Sequence, residues 1–92
     1  MGNFVGMPKL DLTMDSGIIT SWKIEEGSYI RKDEPLADIE TGKLAQEMLS
    51  PFEGTVLKIL IDENVDADVG VPIAYIGTPG EEIPPAPKNL ND

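Results

Sequence analysis

Apolar residues along this chain come in short runs rich in Ile, Val and Leu, bounded by glycine, proline and clusters of acids. No stretch keeps a helical period over three turns, whereas alternation of apolar and polar positions recurs throughout, which predicts a domain that is nearly all β. The pattern places strands near residues 4–8, 17–24, 29–30, 35–40, 44–50, 54–61, 66–67 and 72–77. In the run from Gly54 to Ile61 both alternating faces are mostly apolar, as expected of a strand in a sandwich core or buried at a bend. Pro35, Pro51 and Pro72 fall at predicted strand starts or turns, where a missing N–H costs no ladder bond.

The two halves of the pattern repeat each other. Laying residues 17–40 over 54–77 pairs positions at a constant offset of 37. Gly17 falls on Gly54, Ile19 on Val56, Trp22 on Ile59, Ile24 on Ile61, Glu25 on Asp62 and Glu26 on Glu63. Gly27 falls on Asn64, and these are residue types that tolerate positive φ, so the same left-handed turn can be made twice. Pro35, Leu36, Ala37 and Ile39 then fall on Pro72, Ile73, Ala74 and Ile76. A repeat this short cannot bury its own apolar face, so two copies are expected to pack as a pseudo-twofold pair.

Composition narrows what such a domain can do. Ninety-two residues make one small domain that buries roughly 60–65% of the surface its unfolded chain exposes. The chain has no Cys and no His, which removes disulfides, thiolate or imidazole metal sites, and any reaction needing a histidine base or cysteine nucleophile. A formal charge of −10 repels nucleic-acid phosphates and favours partners with basic docking surfaces. No apolar run approaches the roughly 20 residues of a membrane span, and the N-terminus lacks the pattern of a signal peptide, so a soluble intracellular protein is expected. The acids at 62, 66 and 68 with Asn64 have the early spacing of a calcium loop, but Ala67 and Ile73 stand where that loop needs Gly and Glu. These acids, like Glu25, Glu26 and Glu63, read as solvated turn charges. Trp22, Phe52, Met7, Met14 and Met48 read as packing residues.

Between the halves lies one candidate for chemistry, Lys43. Gly42 and Lys43 are expected at the two central positions of a hairpin turn, with Gly first as a type II′ turn prefers, so that Lys43 projects from the tip. A lysine displayed midway between two symmetric halves suggests an amine presented for modification. Beyond residue 78 the composition turns Pro-rich without strand pattern, which divides the chain into a domain at 1–78 and a linker or flexible tail at 79–92.

From about Met7 to Gly77 these residues resemble the lipoyl domains of 2-oxo acid dehydrogenase complexes. Met7-Pro8-Lys9-Leu10 with Thr13-Met14 is similar to the family's opening strand and loop, and Glu25-Glu26-Gly27 to its turn. Glu40-Thr41-Gly42-Lys43 resembles its Glu-Thr-Asp-Lys modification motif, and Ser50-Pro51-Phe52-Glu53-Gly54 and the segment 70–76 match later landmarks. The resemblance implies a flattened barrel or sandwich of two four-stranded antiparallel sheets, with lipoic acid joined to Lys43. It assigns Glu40, Thr41, Gly42 and Leu44 to recognition by a lipoate–protein ligase, and gives Gly54 a part in presenting the lysine. Two positions depart from the family: Gly42 replaces its usual Asp, and Leu44 a small or β-branched residue. Asp11 stands where the family often has Gly, in a segment, 10–16, similar to its partner-contacting loop.

The implied function is that of a non-catalytic carrier, most simply within a dihydrolipoamide acyltransferase. Its arm visits a 2-oxo acid or acetoin decarboxylase component, an acyltransferase core and dihydrolipoamide dehydrogenase, in the cytoplasm or, in a eukaryote, the mitochondrial matrix. The isolated domain is expected to be monomeric. A biotin carboxyl-carrier domain, whose lysine is usually flanked by methionines, a glycine-cleavage carrier, and an unmodified lipoyl-like module of an adaptor protein are the alternatives.

Overall fold

The computed structural model describes residues 2–91, and they form eight strands and no helix. In chain order these are β1 (Asn3–Gly6), β2 (Ser16–Trp22), β3 (Tyr29–Ile30), β4 (Pro35–Glu40), β5 (Ala45–Leu49), β6 (Gly54–Ile59), β7 (Asp66–Asp68) and β8 (Pro72–Gly77). Two four-stranded antiparallel sheets result, ordered β1-β8-β6-β3 and β5-β4-β2-β7. The expected sandwich is what the chain builds, with each short strand of one half delivered to the sheet of the other half. β3 pairs with β6 and β7 with β2, so neither half closes without its partner.

The repeat holds residue by residue. Ile18, Ile19, Ser21 and Trp22 pair with Glu40, Ile39, Asp38 and Ala37. Thr55, Val56, Lys58 and Ile59 pair with Gly77, Ile76, Tyr75 and Ala74 in the same register. Thr20 and Leu57 are skipped at equivalent places, as are Leu36 against β5 and Ile73 against β1. Each is a bulge, and a bulge bends and twists the strand that carries it. At Leu36-Ala37 it coincides with two consecutive buried side chains, and Ile73-Ala74 lies in a buried run from Pro72 to Ile76, which strict alternation does not allow.

The turns repeat as well. Gly27 (φ 93°) and Asn64 (φ 68°) take the left-handed conformation expected of them, and their N–H groups donate to Val56 O and Ile19 O at 2.7 Å each. Glu26 and Glu63 do more than face water. Their carboxylates accept the N–H of Ile59 (2.9 Å) and of Trp22 (2.8 Å), each capping a strand of the opposite half. A second left-handed pair, Asp33 (φ 70°) and Gly70 (φ 89°), lies at the same offset of 37.

Val5, Met7, Met14, Ile19, Ile30, Leu36, Ile39, Val56, Ile73 and Ile76 fill the space between the sheets. Trp22 and Phe52 pack on this core from its rim, and the Trp22 indole N–H donates to Ile61 O at 3.0 Å. Buried Ser50 donates its hydroxyl to Phe52 O at 2.6 Å and accepts the Phe52 N–H, which satisfies a polar group that burial otherwise penalises.

The segment after β8 touches the domain at both its ends. Near its start the Glu81 carboxylate accepts from Thr78 N (2.6 Å), Gly2 N (3.0 Å) and the Tyr75 hydroxyl (3.0 Å). Tyr75 in turn meets Phe4 edge-to-face, with ring centroids 4.8 Å apart. Near its finish Leu90 N donates to Gly70 O (2.7 Å) and the Asn89 amide to Val69 O (2.8 Å).

Candidate functional site

Antiparallel pairing of β4 with β5, ending at Glu40 opposite Ala45, sets a four-residue loop, Thr41-Gly42-Lys43-Leu44. Its closure differs from the expected type II′ turn. That turn needs positive φ at its first central residue, and Gly42 is not among the glycines in that region. The threonine side chain closes the loop instead: Thr41 Oγ1 accepts from the N–H of Lys43 and of Leu44, both at 3.2 Å. Thr41 N donates to Leu44 O at 2.8 Å. A hydroxyl taking the place of a backbone carbonyl is the usual behaviour of Ser and Thr in turns. It removes the need for a left-handed residue, and β5 starts at Ala45 rather than at Leu44.

Glu40, Gly42 and Lys43 are exposed, while Thr41 and Leu44 are half-buried at the base of the loop. The lysine does not extend straight into solvent. Its Nζ reaches across to the loop 10–16 between β1 and β2 and donates to Thr13 Oγ1 at 3.0 Å. Thr13 is itself held by Asp11, whose Oδ1 accepts both the Thr13 N–H (2.8 Å) and the Thr13 hydroxyl (2.9 Å). The Asp11 carboxyl is therefore held below the ordinary range, first by the Thr13 hydroxyl and then by the Thr13 amide, with the Lys43 charge adding to both.

Two open clefts flank the hairpin. One runs between Lys43 and the loop, lined by Asp11, Thr13, Met14 and Asp15. The other lies on the far side, lined by Gly17, Ile18, Glu40 and Asp66. Neither is a closed pocket suited to engulfing a substrate, so the site offers an amine at a tip with acids beside it. Such an arrangement can carry a group through an amide bond and can be gripped by another protein.

The structure brings Glu40, Thr41, Gly42, Lys43 and Leu44 together on one hairpin and leaves Gly54 apart. Gly54 opens β6, beyond the whole of β5 and the turn that follows, and pairs with Ile30. It takes φ 153°, and its α-carbon packs so closely on β8 that a β-carbon would sit 2.9 Å from Gly77 O. Two residues of the loop gain a place that sequence reasoning did not give them. Thr13 touches the lysine, and Leu12, next to Thr13 in the chain, is 93% exposed. The Asp-x-Thr turn is readable locally, but that it faces a lysine 30 positions away is a product of the fold.

A profile of the family described as "Biotin-requiring enzyme" matches residues 3–76. The chain is 40% identical over 82 residues to the dihydrolipoyllysine-residue acetyltransferase component of the pyruvate dehydrogenase complex of Corynebacterium glutamicum, covering 89% of this chain and 12% of that protein. It is 33% identical over 79 residues to the corresponding component of the acetoin cleaving system of Bacillus subtilis, covering 86% of the chain and 20% of the relative. The mitochondrial protein X component of the pyruvate dehydrogenase complex of Saccharomyces cerevisiae is 36% identical over 78 residues, 84% of the chain and 19% of the relative. The chain thus spans between 12% and 20% of the length of these relatives. With the symmetric sandwich, the lysine hairpin and a match that runs from β1 into β8, this chain belongs to the biotinyl/lipoyl attachment-domain family.

Proposed function

We propose that the chain is a lipoyl carrier domain in which Lys43 is joined through its Nζ to lipoic acid and shuttles acyl groups and reducing equivalents within a 2-oxo acid or acetoin dehydrogenase complex. The observation that carries this reading is the hairpin itself: Glu40-Thr41 directly before an exposed lysine at the tip, in a chain whose relatives are named for a dihydrolipoyllysine residue. Lipoic acid in amide linkage supplies a dithiolane that takes up acyl groups and electrons. The chain's own residues supply its placement. The threonine-closed loop holds the lysine backbone, the space around Gly42 is open to 4 Å, and the exposed carboxylates leave room for a basic partner surface.

On this reading Leu12, at the tip of the loop 10–16, is an apolar contact for a visiting enzyme, with Asp11 and Asp15 as its charged rim. The partners are a lipoate–protein ligase, a 2-oxo acid decarboxylase component, an acyltransferase core and dihydrolipoamide dehydrogenase. Tethering turns each visit into a reaction at high effective concentration, and the segment after β8, held against the domain at Glu81 and again at Asn89 and Leu90, forms the start of the tether.

The family also includes biotin carriers, and its description, "Biotin-requiring enzyme", names biotin. Gly42 and Leu44 beside the lysine, in place of methionines, favour lipoate. Incubation with lipoate, ATP and a lipoate–protein ligase, in parallel with a biotin ligase reaction and with Lys43→Ala, is read by intact mass and peptide mapping. One lipoyl adduct on Lys43, lost in the variant and without biotin addition, is the expected result. Biotin addition at Lys43 refutes the lipoyl reading, and no adduct on the folded domain makes the chain an unmodified structural module.

A further inference from the structure

The Lys43 amine is held by a hydrogen-bond chain whose direction is settled by chemistry. A hydroxyl has one proton to give and lone pairs to receive with. Thr13 gives its proton to Asp11 Oδ1 at 2.9 Å, so the face it turns to Lys43 Nζ at 3.0 Å accepts. The second bond to the same Asp11 oxygen, from the Thr13 N–H at 2.8 Å, holds that oxygen in place as the acceptor. Nζ is therefore the donor in this bond, and acids stand around it. Asp11 and Asp15 share its cleft, Glu40 ends the strand leading into its hairpin, and Asp66 lines the cleft beyond. Apart from Lys43, no basic side chain lines either cleft among the described residues.

We propose that Thr13, fixed by Asp11, is a latch that parks the unmodified Lys43 as a docked ammonium and so guards it against chemical acylation. Acylation of an amine needs the nitrogen lone pair. The neutral Nζ attacks the acyl carbon, a C–N bond forms, the bond from that carbon to its leaving group breaks, and the amine's proton passes to buffer. The docked amine is held against the loop by its N–H bond to Thr13, and that bond must be given up before Nζ can swing out to meet an acyl donor. Once the amide is made the nitrogen is neutral, the attraction to Asp11 and Asp15 is gone, and the arm is released from the loop. The other lysines provide a scale within the same molecule: Lys58 and Lys88 are exposed and their ammonium groups make no hydrogen bond or ion pair among the described residues. This inference concerns the free amine and holds whichever acid Lys43 later carries.

The test is competitive trace labelling of the folded protein with isotopic acetic anhydride at mildly alkaline pH, followed by full acetylation of the unfolded chain and peptide mapping. Lys43 is expected to react about threefold to tenfold more slowly than Lys58 and Lys88, the range a solvent-exposed, charge-assisted hydrogen bond commands. Thr13→Val, which keeps the shape and removes the hydroxyl, is expected to bring Lys43 close to the rate of the references. Asp11→Asn, whose amide oxygen still accepts both Thr13 bonds, is expected to recover only part of that rise. Both side chains sit on an exposed turn, and coincident urea unfolding curves show that the variants fold. Lys43 labelling as fast as the references in the parent protein, or remaining equally slow in Thr13→Val, overturns the latch. No ligase is used, so either result leaves the carrier reading where it stands.

Discussion

Gly17 and Gly54 occupy the same place in the two halves, yet replacing each by alanine is expected to have very different costs. Gly54 has φ 153°, and an added β-carbon would lie 2.9 Å from Gly77 O and 3.0 Å from Ile76 Cγ2. Backbone in that region costs a non-glycine residue about 1–3 kcal/mol. The clash adds about 1–3 kcal/mol, because Gly77 is paired with Thr55 and its carbonyl cannot retreat without breaking the ladder. Alanine returns about 0.4–1 kcal/mol by restricting the unfolded chain. The net expectation is a loss of about 2–4 kcal/mol, or roughly 10–30 °C in Tm for a domain of this size. Gly17 is outside the left-handed region, and its β-carbon would meet Met14 Cε at 2.8 Å and Ile39 Cγ2 at 3.1 Å. A methionine tip can swing aside, so Gly17→Ala is expected to cost about 1 kcal/mol or less. Urea unfolding followed by Trp22 fluorescence and far-UV circular dichroism measures both. A Gly54→Ala loss below about 1 kcal/mol, or one no larger than that of Gly17→Ala, refutes the reasoning.

Two further predictions concern charge. The Thr78 amide, followed by the Tyr75 hydroxyl and the Gly2 amide, holds the Glu81 carboxyl below its ordinary 4.5, so its contribution to stability is complete above 4.5 and is lost as pH falls through the lower folded value. Tyr75 is shifted upward from 10.0, by burial first and then by its bond to Glu81, so its contribution is complete below 10.0 and is lost as pH rises through the raised value. Glu81→Gln is therefore expected to flatten the acid limb of unfolding free energy against pH, and an unchanged acid limb argues against the clamp. Gly42→Asp, at a position with ordinary φ and nothing within 4 Å of a β-carbon, is expected to leave stability within about 0.5 kcal/mol while raising the rate of lipoylation at Lys43. A clear fall in Tm, or a slower ligase reaction, contradicts it.

Most of the fold was legible because its signals are local. Alternation of apolar residues marks a strand wherever it lies, proline marks a strand start, and Gly27 and Asn64 announce a left-handed turn by their own backbone preferences. The offset of 37 added the long-range part, since two sequences with one pattern take one shape. What escaped was of two kinds. Bulges at Thr20, Leu36, Leu57 and Ile73 leave no mark in an apolar run, because they depend on the neighbouring strand. The pair Asp33 and Gly70 shares a conformation without sharing a residue type. The hairpin shows the same division: its tip was readable from Gly42-Lys43, but its closure by the Thr41 hydroxyl was a choice between two turns of similar composition.

Sequence alone therefore determined the all-β class, the two symmetric halves and the lysine between them, since each follows from residue preferences or from repetition along the chain. Tertiary structure decided that β3 and β7 cross to the opposite sheet, that Glu26 and Glu63 cap each other's halves, and that Thr13 and Asp11 meet Lys43. Those contacts join residues tens of positions apart, and which polar group meets which is set by how two twisted sheets come to rest on a shared core rather than by any preference the residues carry alone.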